Sequence, residues 1–414
     1  MAREKRARLT RLTSLLIVMC TAVGALGVSP FAQNALDYPQ WRGQTRDGAA
    51  AGFVEPGAWP QALKRLWKVD VGEGYATPLV IGDVVYVFTR RDEQEVVTAL
   101  DAATGRQRWQ SQYPVSYTPS QPTKVHGAGP KATPLFLDGK LFTQGISGIV
   151  SAFDAASGKR LWQTREPAEH PFYSAASSPA GEHGLMLVHP GNYEALTAYD
   201  VNDGMVKWTA GDGGFFMSPL IATLEGTRQV VTVTQSGVIG VAIPDGRLLW
   251  RFPWSGGGNG GSMPVLDGQT IIVAGVGVTA IRPSYRGGAW TVQTLWETKD
   301  VATYLSNPVV IGDTLFGFST RNSGQFYAID ARDGKVLWLG PPRAATNSAV
   351  VKTDNLLFFL NDDGELIVTR ASRERLDVVA RYTVSDTATW AQPAISGNRI
   401  FIKDTNTLTL WTVD

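Results

Sequence analysis

The chain has 414 residues, with 38 basic and 37 acidic side chains, a net charge of +1, 44 glycines, 23 prolines and a single cysteine. That near-neutral balance carries no electrostatic footprint for nucleic acid or an anionic membrane, and one cysteine excludes a disulfide framework. The length is ample for a large core, and the glycine-rich, turn-rich composition suits an all-β protein.

The first eleven residues carry Arg3, Lys5, Arg6, Arg8 and Arg11 against Glu4; the apolar run Leu12–Val28 and then Ser29-Pro30-Phe31-Ala32 follow. Basic, apolar and small residues in that order read as a secretory signal peptide over residues 1–32, with cleavage after Ala32 or Ala35. The run is short for a membrane span, which needs about 20 apolar residues. The leader has no Arg-Arg pair, and Met19 before Cys20 does not suit lipoprotein processing. Removing residues 1–32 leaves 33 basic (38 − 5) and 36 acidic (37 − 1) side chains, a net charge of −3, and no cysteine. The mature protein is expected to be secreted or periplasmic, without a transmembrane span, and monomeric.

Residues 33–62 are rich in Gly, Pro and Ala and contain Tyr38-Pro39-Gln40-Trp41-Arg42-Gly43 and Arg46-Asp47-Gly48. They read as an ordered extension docked on the body, with Trp41 and Trp59 as its anchors.

From Leu63 onward a repeat governs. Ala99-Leu100-Asp101, Ala152-Phe153-Asp154, Ala198-Tyr199-Asp200 and Ala328-Ile329-Asp330 each lead to a Gly four residues after the Asp and a Trp four residues after that Gly. An alternating strand, an Asp-x-x-x-Gly turn and a return strand ending in Trp describe a hairpin. The Asp accepts the turn's own N–H groups, and Gly takes a positive φ without steric cost. A Trp in the same place each time predicts one inter-unit packing contact used repeatedly. The series runs Trp67, Trp109, Trp162, Trp208, Trp250, Trp296, Trp338 and then Tyr382, at spacings of 42 to 53 residues. A unit of that length fits a four-stranded propeller blade.

Each aromatic is followed by a small-residue step, most often before Pro, at Thr77-Pro78, Thr133-Pro134, Ser178-Pro179, Ser218-Pro219, Met263-Pro264, Asn307-Pro308, Ser348-Ala349 and Gln392-Pro393. In the first blade the strands are expected at Thr77–Ile81, Val84–Arg90, Glu95–Leu100 and Arg106–Gln110. Two units depart from the rule: one shortens its turn to Ala242-Ile243-Pro244-Asp245-Gly246, and another lengthens it from Pro283 to Gly288. The last unit has no outer strand of its own, and Leu63–Val69 is an outer strand without a blade. Pairing them closes the ring and covers a sheet edge. The predicted fold is all-β: an eight-bladed propeller of four-stranded blades over residues 63–414, with an N-terminal strand completing the last blade.

Ala-x-Asp-x-x-x-Gly-[Lys/Arg]-x-x-Trp resembles the tryptophan-docking repeat of pyrroloquinoline quinone (PQQ) propeller proteins, and the resemblance covers nearly all of residues 63–414. One branch of that superfamily comprises quinoprotein dehydrogenases, which hold PQQ and calcium in the central funnel. The other resembles the propeller subunit of the outer-membrane β-barrel assembly machinery, a cofactor-free scaffold that binds a partner through its loops. The segment from Pro39 to Gly48 also resembles the start of uncharacterised secreted members. Fold alone does not choose between the branches.

The dehydrogenase branch implies cations for three carboxylates, an aromatic platform, six to eight oxygens for calcium and a general base. The loops before the small-residue steps offer Lys131 and Arg343 for anions, Trp390 and Tyr304 for stacking, and Asn307 and Asn347 for further polar contacts to a cofactor. Glu73, Asn259 and Asp386 are the candidate metal ligands, with Asp386 also the candidate base. Against catalysis stands the lack of the adjacent-cysteine disulfide that covers the quinone in those dehydrogenases. The run from Gly256 to Gly261 is not followed by a helix and so is no phosphate cradle, and the four histidines lack zinc spacing. The expected function is a secreted, non-catalytic propeller that binds a protein or cell-envelope partner through its loop face, without a cofactor. The alternatives are a PQQ- and calcium-dependent dehydrogenase of an alcohol or sugar, and a carbohydrate-binding propeller using Trp390, Tyr304 and Tyr75.

Overall fold

A computed structural model describes residues 34–414, apart from 168, 192–193, 215 and 257–260. The expected signal peptide lies outside the described residues. Among the described residues no helix is long and apolar enough to cross a membrane.

The described residues form eight four-stranded antiparallel sheets. Seven are built from strands consecutive in the chain; the first comprises β2 (Leu79–Ile81), β3 (Val84–Arg91), β4 (Gln94–Asp101) and β5 (Gln107–Pro114). β5 runs four residues beyond its expected end, because Tyr113 still packs inward and donates its hydroxyl to buried Glu95. In the eighth sheet β1 (Lys64–Asp70) pairs antiparallel with β32 (Thr407–Thr412), placing Trp67 opposite Leu410. The ring closes as expected. Inner and middle strands are buried nearly throughout, while outer strands alternate between exposed and buried residues. That pattern is what a sheet packed between two neighbours requires.

The repeat explains its own spacing. Ala99, Ala152, Ala198 and Ala328 lie opposite Trp109, Trp162, Trp208 and Trp338 of the same blade, and all four alanines are fully buried. Each indole N–H then donates across to the next blade. Trp67 reaches the Ala102 carbonyl at 3.1 Å, Trp109 that of Ala155 at 3.1 Å, Trp162 that of Val201 at 3.2 Å and Trp296 that of Ala331 at 2.7 Å. The ring lies flat on the turn glycine. A Cβ added at Gly105, Gly158, Gly204, Gly246 or Gly334 would stand 2.4–2.9 Å from the indole of the preceding blade, and these glycines have φ between +70° and +77°. Glycine is required there twice over, by conformation and by contact.

The two irregular units behave differently. The shortened turn keeps the contact, since Ile243 accepts from Trp208 at 2.9 Å. The lengthened one abolishes it. β20 (Val278–Arg286) and β21 (Ala289–Thr298) form a long hairpin in place of the docking turn, so Trp250 donates instead to Gln229 Oε1 of its own blade at 2.6 Å. At the eighth position Tyr382 donates its hydroxyl to the Pro60 carbonyl at 2.9 Å, using the N-terminal extension as its partner.

Candidate functional site

Because strands alternate in direction, the connections from each outer strand to the next inner strand emerge at one end of the ring, and the docking turns at the other. The small-residue steps sit where those connections enter the channel. The Thr77 N–H donates to Thr133 Oγ1 at 3.0 Å, the Thr133 N–H to Ser178 Oγ at 3.0 Å and the Ser178 N–H to Ser218 Oγ at 2.8 Å. The Met263 N–H donates to Asn307 Oδ1 at 2.7 Å, and Gln392 Nε2 to the Val350 carbonyl at 3.2 Å. Thr133, Ser178, Ser218, Asn307 and Gln392 each bond a neighbouring blade through the side chain. The small residue is thus a linker between innermost strands, a role the bare Ser/Thr-Pro pattern does not disclose.

Above these steps lies a funnel of about 310 Å³. Its walls include Tyr75, Lys131, Tyr173, Phe216, Tyr304 and Trp390, together with Thr77, Thr133, Ser178 and Ser218 of the linker ring. A short 3-10 helix, Gln121–His126, in the connection between the first two blades also lines the funnel through Pro122, Thr123 and His126. It reaches the last blade, where His126 meets Trp390 edge-on at 4.5 Å.

The channel below is filled by the N-terminal extension. Tyr38 pairs with Val80, the Phe136 N–H donates to the Pro39 carbonyl, and the Ala50 and Ala51 N–H groups donate to the Lys352 and Ile395 carbonyls. Arg42 and Arg46 are almost completely buried. Arg42 donates to the carbonyls of Asn307 (3.3 Å), Pro308 (2.8 Å) and Arg46 (3.2 Å). Arg46 donates to those of Pro179 (2.8 Å) and Ser178 (3.1 Å). Burial pulls Arg42 down to about 10 and Arg46 to about 9, Asp47 partly offsetting the first and Arg42 adding to the second. Both stay charged at neutral pH, and together they brace the third and sixth blades across the axis. Trp41, between these braces and the funnel, lines the funnel itself. Trp59 packs with Phe53 against Phe358.

Of the residues singled out from sequence, Lys131, Tyr304, Asn307 and Trp390 line the funnel, as does Tyr75. Arg343 sits exposed on a short connection with φ +58°, and Asp386 is exposed. Asn347 is buried in its own blade, with its N–H on Asp362 Oδ1 at 2.9 Å. Glu73 uses its carboxylate to accept the Ala128 N–H at 2.9 Å, fastening the loop that carries the 3-10 helix. Asn259 lies outside the described residues. Among the described residues no three His, Cys, Asp or Glu side chains cluster as a metal site.

Lys131 donates from Nζ to Ser174 Oγ at 2.9 Å, and among the described residues it forms no ion pair. Burial pushes its ammonium down to about 8, with Glu73 acting in the opposite sense. His126 is held below its ordinary value by burial and then by Lys131. The described lining therefore supplies one ammonium and no carboxylate. That donor set does not match calcium, which needs acidic oxygens, nor a cofactor with three carboxylates.

A fully buried acid stands where the first two blades meet. Glu95 accepts from Tyr113 Oη at 2.6 Å and from the Ile146 N–H at 2.5 Å, and burial raises it from 4.5 to about 7. Between those values the folded protein keeps a proton that the unfolded chain releases. Stability should therefore fall by about 3 kcal/mol as pH rises through this window. Glu95→Gln is expected to flatten that slope, so that relative to the parent it gains stability at pH 8 compared with pH 5, read from urea midpoints.

A sequence profile for the family described as outer membrane protein assembly factor BamB matches residues 63–125 and 93–340. The outer membrane protein assembly factor BamB of Shewanella oneidensis is 24% identical over 362 residues, covering 81% of this chain and 85% of that relative. The crystal structure of BamB from Moraxella catarrhalis superposes with a TM-score of 0.62 at 16% identity, covering 85% of this chain and 98% of the other. The quinohemoprotein alcohol dehydrogenase of Comamonas testosteroni superposes with a TM-score of 0.63 at 13% identity, covering 92% and 81%. At such identities structural likeness speaks for the fold alone.

Proposed function

Because the chain belongs to the outer membrane protein assembly factor BamB family of repeat propellers, we propose that it is a non-catalytic, periplasmic scaffold that binds a protein partner during outer-membrane assembly. The carrying observation is the extent of the similarity to the Shewanella oneidensis factor, 81% of one chain against 85% of the other. Partner binding falls to the loop end of the ring. Val125, Phe172 and Tyr304 are 80%, 56% and 47% exposed there, around the funnel mouth. Apolar side chains gathered at one end of a rigid ring suit docking. The described funnel lining, which holds no carboxylate, supports a scaffold over a quinone enzyme.

The test is a titration of the mature protein with PQQ and calcium, followed by melting temperature, beside photocrosslinking from Phe172 and Val125 in envelope extracts. The expected result is an unchanged melting temperature and a discrete crosslinked envelope protein. Tight calcium-dependent quinone binding with a clear thermal shift would overturn the scaffold reading.

A further inference from the structure

The mismatch between the funnel and a tricarboxylate quinone is specific enough to say what would match. We infer that the funnel is a receptor for a single carboxylate carried on a ring-bearing group, with Lys131 as the anchor and aromatic walls enclosing the ring. Four observations converge on it.

First, a largely buried ammonium with one hydroxyl partner and, among the described residues, no ion pair is a costly arrangement, and a counter-ion is what relieves it. Second, the polar groups around it suit an anion. Thr77 lines the same cavity, and its Oγ1 is buried without a hydrogen-bond partner. No described lining residue is acidic; Glu73, behind the lining, acts on Lys131 only at a distance and spends its carboxylate on the Ala128 N–H. Third, Trp41, Tyr75, Tyr304 and Trp390 line the cavity from the extension and from three connections. Such walls take a flat or six-membered ring, which pairs with aromatic surface through dispersion and offset stacking. Fourth, about 310 Å³ lies at the small end of ligand sites, which span roughly 300–1,000 Å³. That is room for a compact acid and its solvent. One ammonium balances one carboxylate, so a monoacid fits where a triacid leaves two charges unmet.

Two sources supply this chemistry: a free small acid, and an acidic side chain presented by a docked protein. The experiment separates them. The mature protein is titrated with phenylacetate and with its neutral isostere phenylacetamide, followed by tryptophan fluorescence, since Trp41 and Trp390 line the site. A blocked tetrapeptide with one glutamate beside a tyrosine, and its glutamine counterpart, form the second arm.

Acids are expected to bind at least tenfold more tightly than their amides. Lys131→Met should remove that preference, and Lys131→Arg should keep part of it. The better binder of phenylacetate and glutamate peptide identifies the source. Equal affinity for acid and amide in the parent protein overturns the proposal whatever the variants do. No binding of either acid at 10 mM (about the weakest range that titration reads) also overturns it, as does an acid preference intact in a Lys131→Met protein that melts with the parent. The quinone titration is read independently, so the scaffold reading can fail while this one stands, and the reverse.

Discussion

Trp296→Ala is expected to lower the free energy of unfolding by about 3–5 kcal/mol, the range for deleting a large buried aromatic. Three losses add up at this one residue. The indole is 6% exposed and packs among Val265, Ile272, Leu315 and Ile329, so its removal leaves a void between the fifth and sixth blades. The Ala331 carbonyl loses its 2.7 Å donor. Gly334 loses the ring that its missing side chain accommodates. Trp296→Phe separates the contributions. It keeps most of the packing and removes the N–H, and should cost about 1–2 kcal/mol. Urea midpoints followed by far-UV circular dichroism read both. An alanine variant within 1 kcal/mol of the parent would mean that the docking contact is dispensable.

Arg42→Ala is the second large effect, expected at about 3 kcal/mol. Three carbonyls, those of Arg46, Asn307 and Pro308, lose a charged donor. Hydrogen bonds to charged groups contribute roughly 1.5–3 kcal/mol each, and relief of the guanidinium's own desolvation offsets part of that sum. Its signature is local as well as global. Trp41 stands between this brace and the funnel, so acrylamide should quench tryptophan emission more efficiently in the variant. Arg42→Met restores volume without donors and should fall between the two. Unchanged quenching with unchanged stability would show that the extension holds the channel without this residue.

The fold was legible because a single contact writes several letters at once. Trp109 needs a small residue opposite it, Ala99, and a glycine under it on the next blade, Gly158. That blade's turn in turn needs Asp154, which accepts the Ser157 N–H and hydroxyl. Four positions held by one piece of geometry recur at fixed spacing. The funnel has no such redundancy. Lys131 and Arg343 are both cations in connections entering inner strands, and nothing local distinguishes them. Their placement follows from how each connection folds. The long one before Lys131 doubles back through a 3-10 helix fastened by Glu73, whereas the short one before Asn347 keeps Arg343 at the surface. Arg42 and Arg46 were harder still. Charges in a Gly- and Pro-rich segment normally mark solvated loop, and here their partners are main-chain carbonyls, which leave no trace in side-chain identity.

The clasp between β1 and β32 also sets a timetable. Its partners Trp67 and Leu410 are separated by 343 residues (410 − 67). Synthesis delivers the first of them long before the second exists. Until then β1 stays unpaired. Loop closure over such a span is entropically unfavourable, and contacts this distant in sequence slow folding. An incomplete chain therefore carries β1 as a strand without a partner, and such an edge is open to pairing with another chain until β32 arrives to cover it.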